Sequence, residues 1–248
     1  MSVAANEQLE AYKEKCKKEA ETLVKDVFPQ QVLALNQLLD SAQFSMAGLA
    51  KVDVTLNIPV PETVVFNCDS GELQTKKRKH DCIDNNDQNI PGSKIVLLPS
   101  GPVPCNHCIV ELVDVVKPKI REIIDHCNQV KMWIAYLIPR IEDGNNFGVG
   151  IQEDVLAESR QVESEAATFL DQISRYFLTR AKIVSKVAKY PHVTDYRRSV
   201  TELDEKQGLT LRLVLCELRN QYGSLHDMII KNLDKIKKPR SMNTENMY

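Results

Sequence analysis

Four groups of residues in this chain have types and spacings that could do chemistry. Cys105-Asn106-His107-Cys108 has the CxxC spacing of half a zinc site, since two thiolates set two residues apart can reach one tetrahedral ion. His80, Cys82 and His107 could add ligands, but a second CxxC pair at the proper separation is missing. The preferred reading is a pair of reduced thiols ahead of a helix, with no metal and no other cofactor. The acidic stretch 81–87 resembles a calcium loop at a glance. Counted from Asp81 or Asp84, it has no glycine at the sixth place and no glutamate at the twelfth, so it reads as a solvated segment. Lys76-Lys77-Arg78-Lys79 is a compact basic run of the kind a nuclear import signal needs, without the interleaved aromatics that single-stranded nucleic acid favours. The fourth group is Arg140-Ile141-Glu142-Asp143-Gly144-Asn145-Asn146-Phe147-Gly148-Val149-Gly150, which mixes charges, flexible residues and an apolar Phe147. A plain helix–helix turn needs only about 2–5 residues, so this longer one is placed to present a binding surface.

Signatures of common catalysis are missing. There is no Walker motif or GxGxxG, no GxSxG, no HExxH and no kinase set. The 5 histidines (His80, His107, His126, His192 and His226) show no paired or triad spacing. These absences point away from an enzyme and toward a binding protein.

The elements that must carry these groups are helices. With 248 residues, 43% of them hydrophobic, the chain can bury a sizeable core. Only 9 glycines and 6% aromatics argue against a many-stranded sandwich or barrel. A net charge of -2 gives no basic excess to drive nucleic-acid or membrane binding. No apolar run approaches the roughly 18 residues that span a bilayer, and the first ten residues lack the apolar stretch of a secretory signal. The 7 scattered cysteines suggest a reduced, intracellular protein.

Apolar residues recur at three- and four-residue steps in four regions, the period of one helix face. The first runs from about Asn6 to Ala42, with Pro29 expected to bend or break it. The second, from about His107 to Ile138, is expected to kink at Pro118 and stop at Pro139. The third runs from about Ile151 to Lys189. The fourth starts near Thr194 as N-cap and continues to about Lys237, weakened at Gly208 and Gly223. Three of these helices would each be about 45–65 Å long. Such rods on short connections must run antiparallel, which predicts an all-α, up-down four-helix bundle. Phe177, Leu178, Val184, Leu213 and Val214 lie off the main stripes, and a helix with two apolar faces predicts oligomerisation. Between the first two helices, residues 51–104 form a Pro-, Asn- and Asp-rich segment, read as a long mobile loop. The organisation is then residues 1–50, an N-terminal helical region; 51–104, an insert; 105–240, three helices with the loop 140–150; and 241–248, a polar tail.

At the loop the sequence resembles a known family. Lys131-Met132-Trp133 and the run from Leu137-Ile138-Pro139 through Val149 look like the activation-loop region of the non-ATPase proteasome activators, the REG family. Val162-Glu163-Ser164-Glu165-Ala166-Ala167, Lys189-Tyr190-Pro191-His192-Val193 and Glu217-Leu218-Arg219-Asn220-Gln221-Tyr222 are similar to its gamma branch. The resemblance is dense over 109–248, weaker over 1–50 and poor in the insert, which is richer in Asn, Asp and Cys than the gamma type. Gly208 stands where a larger residue is usual, and Met247 where a leucine is.

The resemblance implies a four-helix protomer that assembles with identical subunits into a seven-membered ring. It implies that the ring docks on the outer alpha ring of the proteasome core particle without ATP. The loop Arg140 to Val149 would press on the core's gate, and the tail ending Asn246-Met247-Tyr248 would dock between core subunits. It also implies a nuclear location, with the cytoplasm second. A helical scaffold without gate-opening activity is the alternative.

Overall fold

The computed structural model describes residues 3–49, 56–62, 98, 101–142 and 146–240. The described residues form helices packed as four antiparallel rods. The first rod is a composite of α1 (Val3–Thr22), a π turn (Leu23–Val27) and α2 (Phe28–Leu39). Pro29 explains the π turn. It has no N–H to give the carbonyl four residues back, so the ladder slips, and Phe28 N–H reaches Leu23 O, five residues away. The sequence expected a bend or break here, and the chain instead widens by one residue and continues. A short helix, α3 (Met46–Leu49), follows.

The second rod, α4 (His107–Leu137), runs without interruption through Pro118. It is capped by Asn106, whose side-chain oxygen accepts from Ile109 N–H at 3.3 Å. The third rod, α5 (Phe147–Lys189), begins four residues earlier than the sequence suggested. The fourth is α6 (Thr194–Lys231), whose N-cap position belongs to Val193 rather than Thr194. Gly208 sits buried inside α6 without breaking it. The expected run to Lys237 divides at Asn232. Its side-chain amide bonds the Met228 carbonyl at 2.8 Å, and α7 (Leu233–Lys237) starts after it.

The predicted stripes meet in one core. Phe28, Leu35, Ile109, Ile120, Ile123, Trp133, Ile134, Leu211, Leu215, Leu218 and Tyr222 are all nearly inaccessible. Of the off-stripe residues, Val214 is corrected: it is buried in this core. Leu178 and Leu213 each remain 57% exposed, so they are the ones available to cover a neighbour.

The two ends of the bundle are built differently. At one end, the returning insert is clamped to the helices around Asp204, which is fully buried. Tyr176 Oη donates to its Oδ1 at 2.8 Å, Asn106 Nδ2 to its Oδ2 at 2.9 Å, and Arg180 Nε lies 3.0 and 3.1 Å from its two oxygens. Arg180 also donates to Pro104 O at 3.3 Å. Nearby, Arg197 donates to Ile58 O at 2.8 Å and Asn57 to Pro102 O at 3.1 Å. A small satellite core of Ile58, Val187 and Val200 lies beneath. The opposite end, where α4 stops, α5 starts and α7 finishes, lies one helix length away, about 46 Å for the 31 residues of α4.

Candidate functional site at the loop end of the bundle

Leu137 ends α4, and the chain crosses to α5 through Ile138, Pro139, Arg140, Ile141 and Glu142 on one side and Asn146 on the other. Asp143, Gly144 and Asn145 lie outside the described residues, as do the tail Asn246, Met247 and Tyr248 and the basic run Lys76, Lys77, Arg78 and Lys79. The expected loop of residues 140–150 is therefore shorter. Phe147, Gly148, Val149 and Gly150 form the first turn of α5, with Gly150 N–H bonding Asn146 O at 2.9 Å.

Their glycines were read as turn formers, and Gly148 has a different purpose. A Cβ on it would fall 2.2 Å from the Pro239 carbonyl oxygen and 2.5 Å from Pro239 Cα. Only glycine lets the backbone after α7 lie against the start of α5. The contact is reinforced from inside. Gln152 is fully buried, and its Nε2 donates to Leu137 O at 3.2 Å and Ile236 O at 2.7 Å. One amide thus joins the last turns of α4 and α7 to α5, satisfying carbonyls that helix ends leave without partners.

Arg240, three residues after the end of α7, completes the lacing. Its Nη1 donates to Glu142 Oε2 at 3.1 Å, and its Nη2 to Glu142 O at 3.4 Å and Asn146 Oδ1 at 3.1 Å. Asn146 holds the N-cap position of α5 without a side-chain capping bond, and its Oδ1 serves Arg240. A recess of about 440 Å³ is lined by Ile138, Ile141, Glu142, Val149, Glu153 and Arg240 among others. Apolar groups stand around it in water: Ile141 is 103% exposed and Phe147 70%. The arrangement offers a charged, hydrogen-bonded base with apolar contacts projecting from it, which suits docking on a protein surface.

Sequence reasoning extended the loop to Gly150, where the structure has the first turn of α5, and missed Arg240, Gln152 and the role of Gly148. The partners of Arg240 are 94 and 98 positions away, so no local pattern reports them. A hint was available in Gly148 itself, because glycine also marks a close backbone approach.

The CxxC group lies elsewhere. Cys105 is exposed and Cys108 half-buried at the start of α4, beside a recess of about 240 Å³ shared with His107 and Arg180. Among the described residues, no three His, Cys, Asp or Glu side chains gather where they could hold a metal ion. Cys127 belongs to the core, where burial pushes its thiol up to about 12. Among the described residues, no helix is long and apolar enough to cross a membrane.

Long rods with the loop flanks and the Pro239–Arg240 segment laced together at one end define a helical-bundle protein with a candidate docking face there. The model of the N-terminal region of the proteasome activator PA28 matches residues 3–63, and that of its C-terminal region matches residues 102–246. The chain belongs to the PA28 proteasome activator family. It is 48% identical to proteasome activator complex subunit 3 of Gallus gallus and of Homo sapiens, over 97% of this chain and 95% of each relative. Among solved structures it resembles the Plasmodium falciparum proteasome 11S subunit, PA28, with a TM-score of 0.75 and 29% identity over 96% of both chains. The PA26 activator, solved in complex with an archaeal 20S proteasome, shares the fold, with a TM-score of 0.61 at 13% identity over the full length of both.

Proposed function

We propose that this protein is an ATP-independent activator of the proteasome core particle. Seven identical copies form a ring that docks on the outer alpha ring of the core through C-terminal tails ending Asn246-Met247-Tyr248. The loop from Arg140 to Val149 then holds the core's gate open. The protein regulates and cleaves no substrate itself. The observation that carries this reading is the lacing of loop and tail root at one end of a rigid bundle. A tail that docks there brings the loop to the same surface.

Each tail adds a weak contact, and several on one ring act together through high effective concentration. Gate opening then requires only that the loop contact the open state better than the closed one. Exposed Leu178 and Leu213 support burial against a neighbouring copy. The named relatives above, subunit 3 of an activator complex and PA26 bound to a 20S proteasome, support the partner.

The test is hydrolysis of a fluorogenic peptide by latent core particle without ATP. Wild type is expected to raise the rate strongly. Asn145→Tyr is expected to bind the core and raise it little. A ring that binds the core and leaves hydrolysis unchanged would favour the scaffold alternative. The basic run Lys76-Lys77-Arg78-Lys79 supports a mainly nuclear location. Alanine at all four positions is expected to shift a fluorescent fusion to the cytoplasm, and an unchanged nuclear signal would remove that proposal.

A further inference from the structure

We infer that Arg240 is a positioning residue that fixes the loop flanks, Glu142 and Asn146, relative to the segment from Ile236 to Arg240, so that the root of the tail helps set the loop for gate opening. This rests on the function proposed above. The guanidinium bonds both flanks of the loop, Glu142 before its tip and Asn146 after it. The residue immediately before it, Pro239, is seated on Gly148, and the eight residues after it are the tail. Three attachments therefore converge on one short segment: Pro239 on α5, Arg240 on the loop, and Ile236 through Gln152 on α4. Of the three, the fork of Arg240 is the attachment that reaches both loop flanks, Glu142 and Asn146. A planar fork with several fixed donors transmits direction, which a single ammonium does less well. Arg240 is only 26% exposed, while Glu142 is 65% exposed, so the anchored partner is the arginine and the guided partner is the loop.

Arg240→Ala, Arg240→Lys and Glu142→Gln in the full chain test this, with ring size checked by light scattering. In the free protein, amide hydrogen exchange at Glu142 and across residues 146–150 is expected to quicken in Arg240→Ala and stay near wild type elsewhere. With saturating activator, peptide hydrolysis by the core is expected to fall about threefold, the population change an exposed ion pair of ordinary strength can hold. The half-saturating concentration is expected to move less than about twofold, because the tail residues that dock are untouched. Arg240→Lys and Glu142→Gln are each expected to fall between wild type and Arg240→Ala, since Glu142→Gln leaves the bonds to the residue-142 carbonyl and to Asn146. Unchanged exchange in Arg240→Ala overturns the inference. So does stimulation that returns fully at saturation, since Arg240 would then only bind. If wild type itself fails to stimulate the core, the proposed function is lost, and the exchange arm alone decides whether Arg240 positions the loop.

Discussion

Asp204 keeps its carboxylate fully out of water, and the side chains of Tyr176, Asn106 and Arg180 surround it with donors. A buried ion pair of this kind is weak evidence of net stability, since desolvation offsets much of the attraction. Removing one partner is a different matter, because it strands the other. Asp204→Asn is expected to cost about 3–5 kcal/mol by leaving Arg180 uncompensated. Asp204→Leu combined with Arg180→Met is expected to cost less than the sum of the single changes. Urea unfolding of Asp204→Asn, of Asp204→Leu and Arg180→Met singly, and of their combination checks this, and simple additivity would mean that the two groups act independently. Neither Asp204 nor Arg180 stood out in the sequence, where a charge on a long polar helix reads as solvated. What identifies them is that donors from α5 and from the cap of α4 converge on one carboxylate of α6. Gly148 was visible but misread for the same reason: its need for a missing Cβ is set by Pro239, not by its own turn.

Among the elements, the junction of the first rod with α4 and α6 carries a titratable group. His126 Nδ1 lies 2.8 Å from Tyr222 Oη, and the Phe28 ring sits against both, 6.2 Å from His126 and 5.1 Å from Tyr222. Burial lowers the His126 pKa below its ordinary 6.5, a pull stronger than the opposing attraction of Glu122 and Asp125. The unfolded chain therefore takes up this proton at higher pH than the folded one does. Stability from the neutral imidazole is complete above about pH 6.5 and is lost as pH falls through the depressed value. The melting temperature of wild type is expected to fall more between pH 7 and 5 than that of His126→Gln. Equal slopes would place the acid sensitivity in other groups. At this scale the sequence was largely legible, because long apolar stripes at period 3.6 have no other stable use. Helix starts were less so. Val193 took the cap expected of Thr194 because the turn after Tyr190 fixes the entry angle, and Val193 N–H already bonds Tyr190 O at 3.1 Å. The π turn at Leu23–Val27 followed from Pro29, but a slip of the ladder and a full break cannot be told apart from one proline.

Taken whole, the protein is a set of stiff rods with distinct business at each end. The loop, tail root and Arg240 occupy one end, and the root of the insert, held by Arg180, Arg197 and Asn57, occupies the other. Up-down order was readable from rod lengths and short connections. The lacing at each end was not, because it joins residues far apart in the chain, such as Glu21 of α1 with Lys237 of α7 at 2.5 Å. Separation on this scale has a bearing on descent. Changes more than about 10 Å apart with no shared partner add independently, so lineages could rewrite one end without retuning the other. Exchanging the insert between relatives at its rooted stem would then leave gate control intact. The family could diversify what it meets at one pole while inheriting unchanged what it does at the other.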